Sequence, residues 1–148
     1  MSSSEPVFGY GSNMDLDQMK KRCPNSDLCP FIAEARGWQL CFPRTSSTRR
    51  GGVGSIVREP GESAWGVVFL MTPADLKSLD GYEGVFRDAY HREKLEVFTA
   101  DTKSHIVWTY FAVPQDSPAK RYLHTVTILR YICAEPGILD CLLNIKLN

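Results

Sequence analysis

The chain has 148 residues, of which 43% are hydrophobic and 23% are charged. This length and composition are those of one globular domain, which we place over residues 1–148, and they argue against a disordered or coiled-coil protein. Because 17 basic residues balance 17 acidic ones, we expect neither nucleic acid nor an anionic membrane surface to be the main partner.

The cysteines and the apolar runs indicate the kind of compartment. The five cysteines, at positions 23, 29, 41, 133 and 141, form no Cys-x-x-Cys pair, so a disulfide framework or a paired-cysteine zinc site is unsupported. No basic stretch precedes an apolar one at the N-terminus, as a signal peptide would require. The longest apolar run, residues 67–71, is far shorter than the ~20 residues that span a bilayer. We therefore expect a cytoplasmic protein with no membrane segment.

The N-terminal segment predicts a strand, a sharp turn and a short helix. Residues 7–10 form an apolar and aromatic run followed by a glycine, which is typical of a strand that ends in a turn. We expect Asn13 to cap a helix that extends to about residue 21, with Asp15 and Asp17 in its first turn.

The middle of the chain predicts strands separated by polar segments. Residues 31–42 are expected to form a long strand with a break at Gly37, and residues 65–71 form a continuous apolar run of buried-strand length. Between them lie, in order, a basic glycine-rich loop at 44–54, a short strand at 54–58 and a turn at 59–62.

A second helix is predicted after the buried strand. Thr72 suits the N-cap, Pro73 the first helical position and Asp75 the third, and the helix is expected to end near Leu79, before a loop.

The last third of the chain predicts a hairpin and then helices. Residues 90–98 and 106–113 are aromatic and β-branched and flank a polar stretch at 101–104, which favours an antiparallel hairpin. A helical region is expected from residue 117, with a final apolar segment at 138–145. This order of elements predicts one α+β domain with an antiparallel sheet that can close on itself.

The first candidate site is the glycine-containing turn at residues 8–13. Gly9 and Gly11 lack a Cβ, so the backbone there can approach a ligand closely. If a helix begins at this turn, the amides of Gly11, Ser12 and Asn13 face outward at its positive end, where they suit a carboxylate or a phosphate. The alternative is a tight strand-to-helix turn with an asparagine cap. The turn lacks the Lys-Ser/Thr of a P-loop and the third glycine of a dinucleotide fingerprint.

The second candidate is Glu83, which lies between Tyr82 and Gly84 with apolar residues on both sides. A carboxylate held in an apolar pocket has a raised pKa and can exchange protons near neutral pH. The alternative is a solvated glutamate in a loop, since glutamate is almost never fully buried without a partner. The three histidines show no metal-ligand spacing, and we expect no metal site.

Together, these motifs resemble the γ-glutamylcyclotransferases over about residues 7–147. The likeness rests on Tyr-Gly-Ser-Asn at 10–13 and on Glu-Gly-Val at 83–85. Between them come, in order, Gly-Gly at 51–52, Pro-Gly-Glu at 60–62, Trp-Gly-Val-Val at 65–68 and Leu-Asp at 79–80.

The resemblance implies a small, mostly antiparallel β-barrel with flanking helices, a homodimer and no cofactor. It also implies that Glu83 is the acid/base and that Tyr122, which follows a Ser-Pro pair, contributes to binding. The loop that would hold the α-carboxylate and α-amine of the substrate consists of Val7, Phe8, Gly9, Tyr10, Gly11, Ser12 and Asn13. The sequence departs from the family at Gly9, where alanine is usual, and at Gly81 and Tyr82. Both departures adjoin the site and leave the preferred substrate open.

The reaction that the resemblance implies is an intramolecular aminolysis. A γ-glutamyl amino acid, or a related γ-glutamyl amide, would be converted to 5-oxoproline and a free amine, within glutathione metabolism. Two alternatives stay open at this point: a hydrolase acting on glutathione or on γ-glutamyl-ε-lysine, and a non-enzymatic module that kept the anion-binding loop.

Overall fold

The computed structural model of the protein describes residues 3–46 and 51–114. Within these ranges the chain forms a closed barrel of five strands with two α-helices. The elements, in chain order, are β1 (Glu5–Gly9), α1 (Leu16–Arg22), β2 (Phe31–Ser46), β3 (Gly51–Met71), α2 (Pro73–Glu83), β4 (Tyr90–Phe98) and β5 (Ser104–Ala112). Short 3₁₀ turns follow β1 at Ser12–Met14 and α2 at Val85–Arg87.

The strands are arranged in the order β1-β3-β2-β4-β5, and β5 meets β1 to close the sheet. Neighbouring strands are antiparallel, apart from β1 and β5, which are parallel where Val7 pairs with Trp108. The expected mostly antiparallel barrel with flanking helices is therefore confirmed. Because β1 pairs with both β3 and β5, the turn that follows β1 is fixed to the barrel from two sides.

Strand β3 is longer than the sequence predicts. The segments expected to be a short strand at 54–58 and a turn at 59–62 both belong to it, as does the end of the loop expected at 44–54. The register shifts between the pairs Arg36–Ser63 and Trp38–Arg58. At this shift Gly37 has φ +77° and Gly61 has φ +89°. The turn-forming residues therefore make a bulge within a paired strand, since pairing with β2 continues on both sides of them.

Helix α2 begins as predicted and ends later. The Thr72 hydroxyl accepts a hydrogen bond from the Asp75 amide at 3.2 Å, as an N-cap does. The expected end near Leu79 is wrong, because the helix continues to Glu83 and ends at Gly84, which has φ +68°. A glycine in the left-handed conformation is the usual residue at this position of a helix end. Glu83 is therefore the last helical residue rather than part of a loop.

Two buried clusters lie on opposite faces of the sheet. One draws on all five strands and fills the barrel; it consists of Phe8, Tyr10, Ala33, Ala35, Ile56, Ala64, Val68, Leu95, Val97, Val107 and Phe111. The other combines strand residues with both helices and consists of Val7, Met14, Met19, Cys23, Ile32, Val67, Phe69, Met71, Leu76, Leu79 and Tyr110. Successive side chains of a strand point to opposite faces, so the helices pack on the outside of the barrel.

The hairpin is confirmed: β4 spans the predicted residues 90–98, and β5 runs over Ser104–Ala112 instead of 106–113. The helices predicted from residue 117 lie outside the described ranges. Of the helices that the structure describes, none is long and apolar enough to cross a membrane.

Candidate active site

The Tyr-Gly-Ser-Asn segment leaves the barrel at the end of β1. Tyr10 is buried, whereas Gly11, Ser12 and Asn13 are partly exposed. The chain then makes a 3₁₀ turn, in which the Met14 amide donates to the Gly11 carbonyl at 3.0 Å. The first amides of such a turn have no acceptor within it, so they are available to an outside group.

Asn13 is not the cap of α1, contrary to the sequence-based expectation. The cap is Asp15, whose Oδ1 accepts a hydrogen bond from the Gln18 amide at 3.0 Å. The 3₁₀ turn delays the start of α1 to Leu16, so the amides of the turn do not stand at the helix N-terminus as expected. The Asn13 side chain is instead directed at another part of the fold.

That part is Glu83. The Asn13 Nδ2 donates a hydrogen bond to Glu83 Oε1 at 2.7 Å. Glu83 is partly buried at the C-terminal end of α2, where the helix carries partial negative charge that opposes a carboxylate. The amide of Asn13 therefore supplies a donor where the helix supplies none. The fold brings the two candidate motifs of the sequence into direct contact.

Arg22, the last residue of α1, binds the other end of the Asn13 amide. Its Nη1 donates to Asn13 Oδ1 at 3.2 Å, and its guanidinium carbon lies 4.9 Å from the centre of the Tyr82 ring. Sequence reasoning missed Arg22, because a run of Lys20, Lys21 and Arg22 at a helix end is accounted for by the helix dipole alone.

Tyr10 faces the barrel interior near Glu83. Its hydroxyl donates to the backbone carbonyl of Tyr110. Burial is the largest cause that raises the pKa of Tyr10 above its ordinary value; the charges of Tyr90 and Glu83 raise it further, and a hydrogen bond with Ser55 lowers it. Tyr10 is therefore a neutral donor and not a base at physiological pH.

Tyr110 connects the same region to a second charged group. Its hydroxyl donates to Asp80 Oδ1 at 2.7 Å, and Asp80 Oδ2 pairs with Arg92 at 3.1 Å. Burial raises the pKa of Tyr110 most; the hydrogen bond to Asp80 and the charges of Asp80 and Glu83 add to this, and Arg92 lowers it. Sequence reasoning assigns no role to Tyr110, notes Asp80 only as part of the Leu-Asp pair at 79–80, and does not single out Arg92.

The remaining predicted loop residues have different surroundings. Val7 and Phe8 are each 1% exposed in the two cores, so their side chains position the strand, and a role in binding stays a prediction. A Cβ on Gly9 would lie 3.0 Å from the Asn13 Cβ, whereas a Cβ on Gly11 would have nothing within 4 Å. Tyr122 lies outside the described residues. Of the two loop glycines, Gly11 is therefore the one at which a side chain would enter open space.

An open recess of about 350 Å³ also involves Asp80. It is lined by Glu5, Pro73, Leu76, Lys77, Asp80, Arg92 and Trp108. The recess includes neither Glu83 nor the loop at residues 10–13.

Comparison with known proteins identifies the family. Residues 7–127 match the family model described as gamma-glutamyl cyclotransferase, AIG2-like. Because this match covers most of the chain, the protein belongs to that family, as its sequence motifs predict.

Three individual proteins show the extent of the similarity. A gamma-glutamylcyclotransferase of Homo sapiens is 31% identical over 125 residues, and that of Mus musculus is 29% identical; each alignment covers 78% of this chain. The chain spans 66% of the length of these curated relatives. A solved structure called gamma-glutamyl cyclotransferase superimposes with a TM-score of 0.75 at 28% identity, covering 97% of this chain and 86% of the other.

Proposed function

We propose that the protein is a γ-glutamylcyclotransferase, which converts a γ-glutamyl amino acid or a related γ-glutamyl amide to 5-oxoproline and the free amine. The observation that carries the proposal is the 2.7 Å hydrogen bond from Asn13 to Glu83. It joins the loop that is suited to hold a substrate to the one carboxylate that the resemblance assigns to proton transfer. The family membership of the chain supports the same activity.

The reaction needs a single proton-exchanging group. Glu83 takes a proton from the α-ammonium of the substrate, and the freed amine attacks the γ-carbonyl carbon. The new C–N bond closes a five-membered lactam, the C–N bond to the leaving group breaks, and Glu83 returns its proton to the leaving nitrogen. The ring nitrogen loses its second proton as the lactam forms, and the released amine takes up that proton and leaves as an ammonium. General acid/base catalysis of this kind contributes about 10²–10⁴-fold. Burial raises the pKa of Tyr10 and Tyr110, so both keep their protons and neither acts as the base.

The loop at residues 10–13 supplies binding and orientation. Backbone amides of the 3₁₀ turn suit the α-carboxylate, and the open space beside Gly11 leaves room for it. Holding the substrate folded, with its amine against its carbonyl, adds an orientation effect that is worth about 7–11 kcal/mol in well-oriented intramolecular reactions. Amides of the same turn can stabilise the oxygen of the tetrahedral intermediate.

The product in ¹⁸O-labelled water tests the proposal. The purified protein is incubated with a panel of γ-glutamyl compounds that includes γ-glutamylalanine, glutathione and γ-glutamyl-ε-lysine. Cyclisation needs no water, so 5-oxoproline should form without label, and the N-acetyl form of the same substrate should be inert because its amine is blocked. Glutamate with one ¹⁸O in its γ-carboxylate would show a hydrolase instead. No turnover of any compound, together with retained binding, would show a non-enzymatic module.

The resemblance supports three further proposals: that the substrate class places the protein in glutathione metabolism, that the protein is a homodimer, and that it acts in the cytoplasm. Light scattering of the purified chain measures the molar mass and tests the second of these. Fluorescence microscopy of a tagged protein tests the third.

A further inference from the structure

Asn13 lies between a cation and a carboxylate, and its amide group is oriented by both. Arg22 Nη1 donates to Asn13 Oδ1 at 3.2 Å, and Asn13 Nδ2 donates to Glu83 Oε1 at 2.7 Å. An asparagine amide has an acceptor on one side and donors on the other, whereas a guanidinium has donors only. Arg22 therefore selects the orientation in which the nitrogen of Asn13 faces Glu83.

We propose that Arg22 is a positioning residue of the active site, which holds the Asn13 amide so that Glu83 stays where it exchanges protons. This inference rests on the proposed function. Without Arg22, rotation of the amide by 180° would bring Asn13 Oδ1 against Glu83 Oε1. Because two acceptors repel each other, that orientation is disfavoured, and without Arg22 only the hydrogen bond to Glu83 would hold the amide. Asn13 and the carboxylate that it binds would then be free to move together away from the reacting nitrogen.

The position of Arg22 is itself fixed by the helix that carries Glu83. Its guanidinium carbon lies 4.9 Å from the centre of the Tyr82 ring, and its backbone carbonyl accepts a hydrogen bond from Ser78 Oγ at 3.2 Å. Ser78 and Tyr82 both belong to α2, which ends at Glu83. Helix α2 therefore carries the carboxylate and also contacts the cation at the end of α1, with Asn13 between them.

Lys21 provides a matched control for the charge of Arg22. It precedes Arg22 in the last turn of α1 and is exposed, whereas Arg22 is partly buried. Replacing Lys21 removes the same charge from the same helix end and leaves the hydrogen bond to Asn13 in place. A simple effect of charge on α1 would appear equally in Lys21→Met and Arg22→Met.

The first test compares the kinetics of 5-oxoproline formation by the wild type, Arg22→Met, Arg22→Lys and Lys21→Met. Because a displacement of about 1 Å in a reacting group can cost about 10²-fold, kcat of Arg22→Met should fall about 10- to 100-fold with little change in KM. Arg22→Lys keeps a donor and should recover part of this loss. Lys21→Met should match the wild type. Equal kcat for Arg22→Met and the wild type would overturn the inference, as would equal losses in Arg22→Met and Lys21→Met.

The second test asks whether Arg22 acts through Asn13. If it does, Arg22→Met should cost much less in an Asn13→Ala background than in the wild type, because the two residues form one chain of hydrogen bonds. Losses that simply multiply would contradict the inference. Thermal unfolding of each variant ensures that only folded protein is compared.

A third measurement needs no turnover and separates the inference from the proposed function. The side-chain amide of Asn13 gives its own pair of signals in a ¹H–¹⁵N spectrum of the free protein. Arg22→Met should shift these signals strongly and Lys21→Met should not; unchanged signals in Arg22→Met would overturn the inference. A wild type that forms no 5-oxoproline, but shows this pattern of shifts, would refute the proposed function and leave the Arg22–Asn13 contact confirmed.

Discussion

At the scale of single residues, the candidate site contains a carboxylate, Glu83, that accepts a hydrogen bond from the neutral amide of Asn13. Glutamine at position 83 keeps the size of the side chain and an oxygen that can accept from Asn13 Nδ2, but it cannot exchange a proton. Glu83→Gln should therefore lose about 10²–10⁴-fold in kcat and keep the thermal stability of the wild type. The rate of 5-oxoproline formation, measured by chromatography, checks this expectation.

A matched control is Glu96→Gln, since Glu96 is an exposed carboxylate of β4. It should behave like the wild type in both rate and stability. Glu83→Asp should also be slow, because one methylene fewer withdraws the carboxylate from its proton. Near wild-type kcat in Glu83→Gln would rule out the role of Glu83 as the acid/base.

The second prediction at this scale concerns Gly11. A side chain there would enter open space, because an added Cβ has no neighbour within 4 Å. Gly11→Val should consequently fold normally and raise KM strongly, since the valine would occupy the space meant for the substrate. Ser12→Ala should have a milder effect if the loop binds through its backbone. Steady-state kinetics checks both variants, and an unchanged KM in Gly11→Val would make the loop purely structural.

At the scale of elements, one buried carboxylate ties the end of α1 to the start of α2. Asp75 is 1% exposed; its Oδ2 accepts from the Asn25 amide at 2.9 Å and its Oδ1 from Asn25 Nδ2 at 3.0 Å. The Ser26 hydroxyl also donates to Asp75 and accepts from the Thr72 amide. The segment after α1 is therefore fixed to the helix that ends at Glu83.

Removing the Asp75 carboxylate should weaken the link between the segment after α1 and the start of α2. Asp75→Ala leaves the donors of Asn25 and Ser26 without their acceptor, which should lower the free energy of unfolding by about 1–3 kcal/mol. Asp75→Asn keeps one acceptor oxygen and should lose less. Urea unfolding measures both, and Asp17→Ala, at an exposed position of α1, serves as the control. A stability of Asp75→Ala equal to that of the wild type would show that the link contributes nothing.

The elements also show which features of the fold can be predicted from local sequence. The hairpin of β4 and β5 and the Thr72 cap of α2 were predictable, because their signals lie within a few residues of each other. The continuous β3 was not, since its turn-like residues at 59–62 become a bulge only through pairing with β2. The end of α2 was missed because Gly81, which suggests a loop, stays helical while Gly84 ends the helix.

The candidate site is also only partly predictable, because its motifs are local in the sequence and its contacts are not. Tyr10–Asn13 and Glu83 could be selected from the sequence through the family resemblance. Their contact could not be derived, because it joins positions 70 residues apart. Arg22 carries no motif at all, and its link to Asn13 spans the whole of α1.

At the scale of the whole molecule, a ligand that binds the folded state alone should raise its stability. Excess ligand at about 100 times Kd adds about 2.7 kcal/mol to the free energy of unfolding. For a chain of this size that corresponds to a rise in Tm of roughly 5–10 °C. Because Glu83→Gln should bind substrate without turning it over, γ-glutamylalanine should raise the Tm of this variant by about this amount.

The same compound should leave the Tm of the Glu83→Gln, Gly11→Val double variant unchanged, since the valine fills the binding space. Differential scanning fluorimetry over a range of concentrations measures both effects. If the wild type forms 5-oxoproline but Glu83→Gln shows no rise in Tm, then Glu83 binds the substrate as well as exchanging its protons. A rise in Tm that survives Gly11→Val would place the binding site away from the loop.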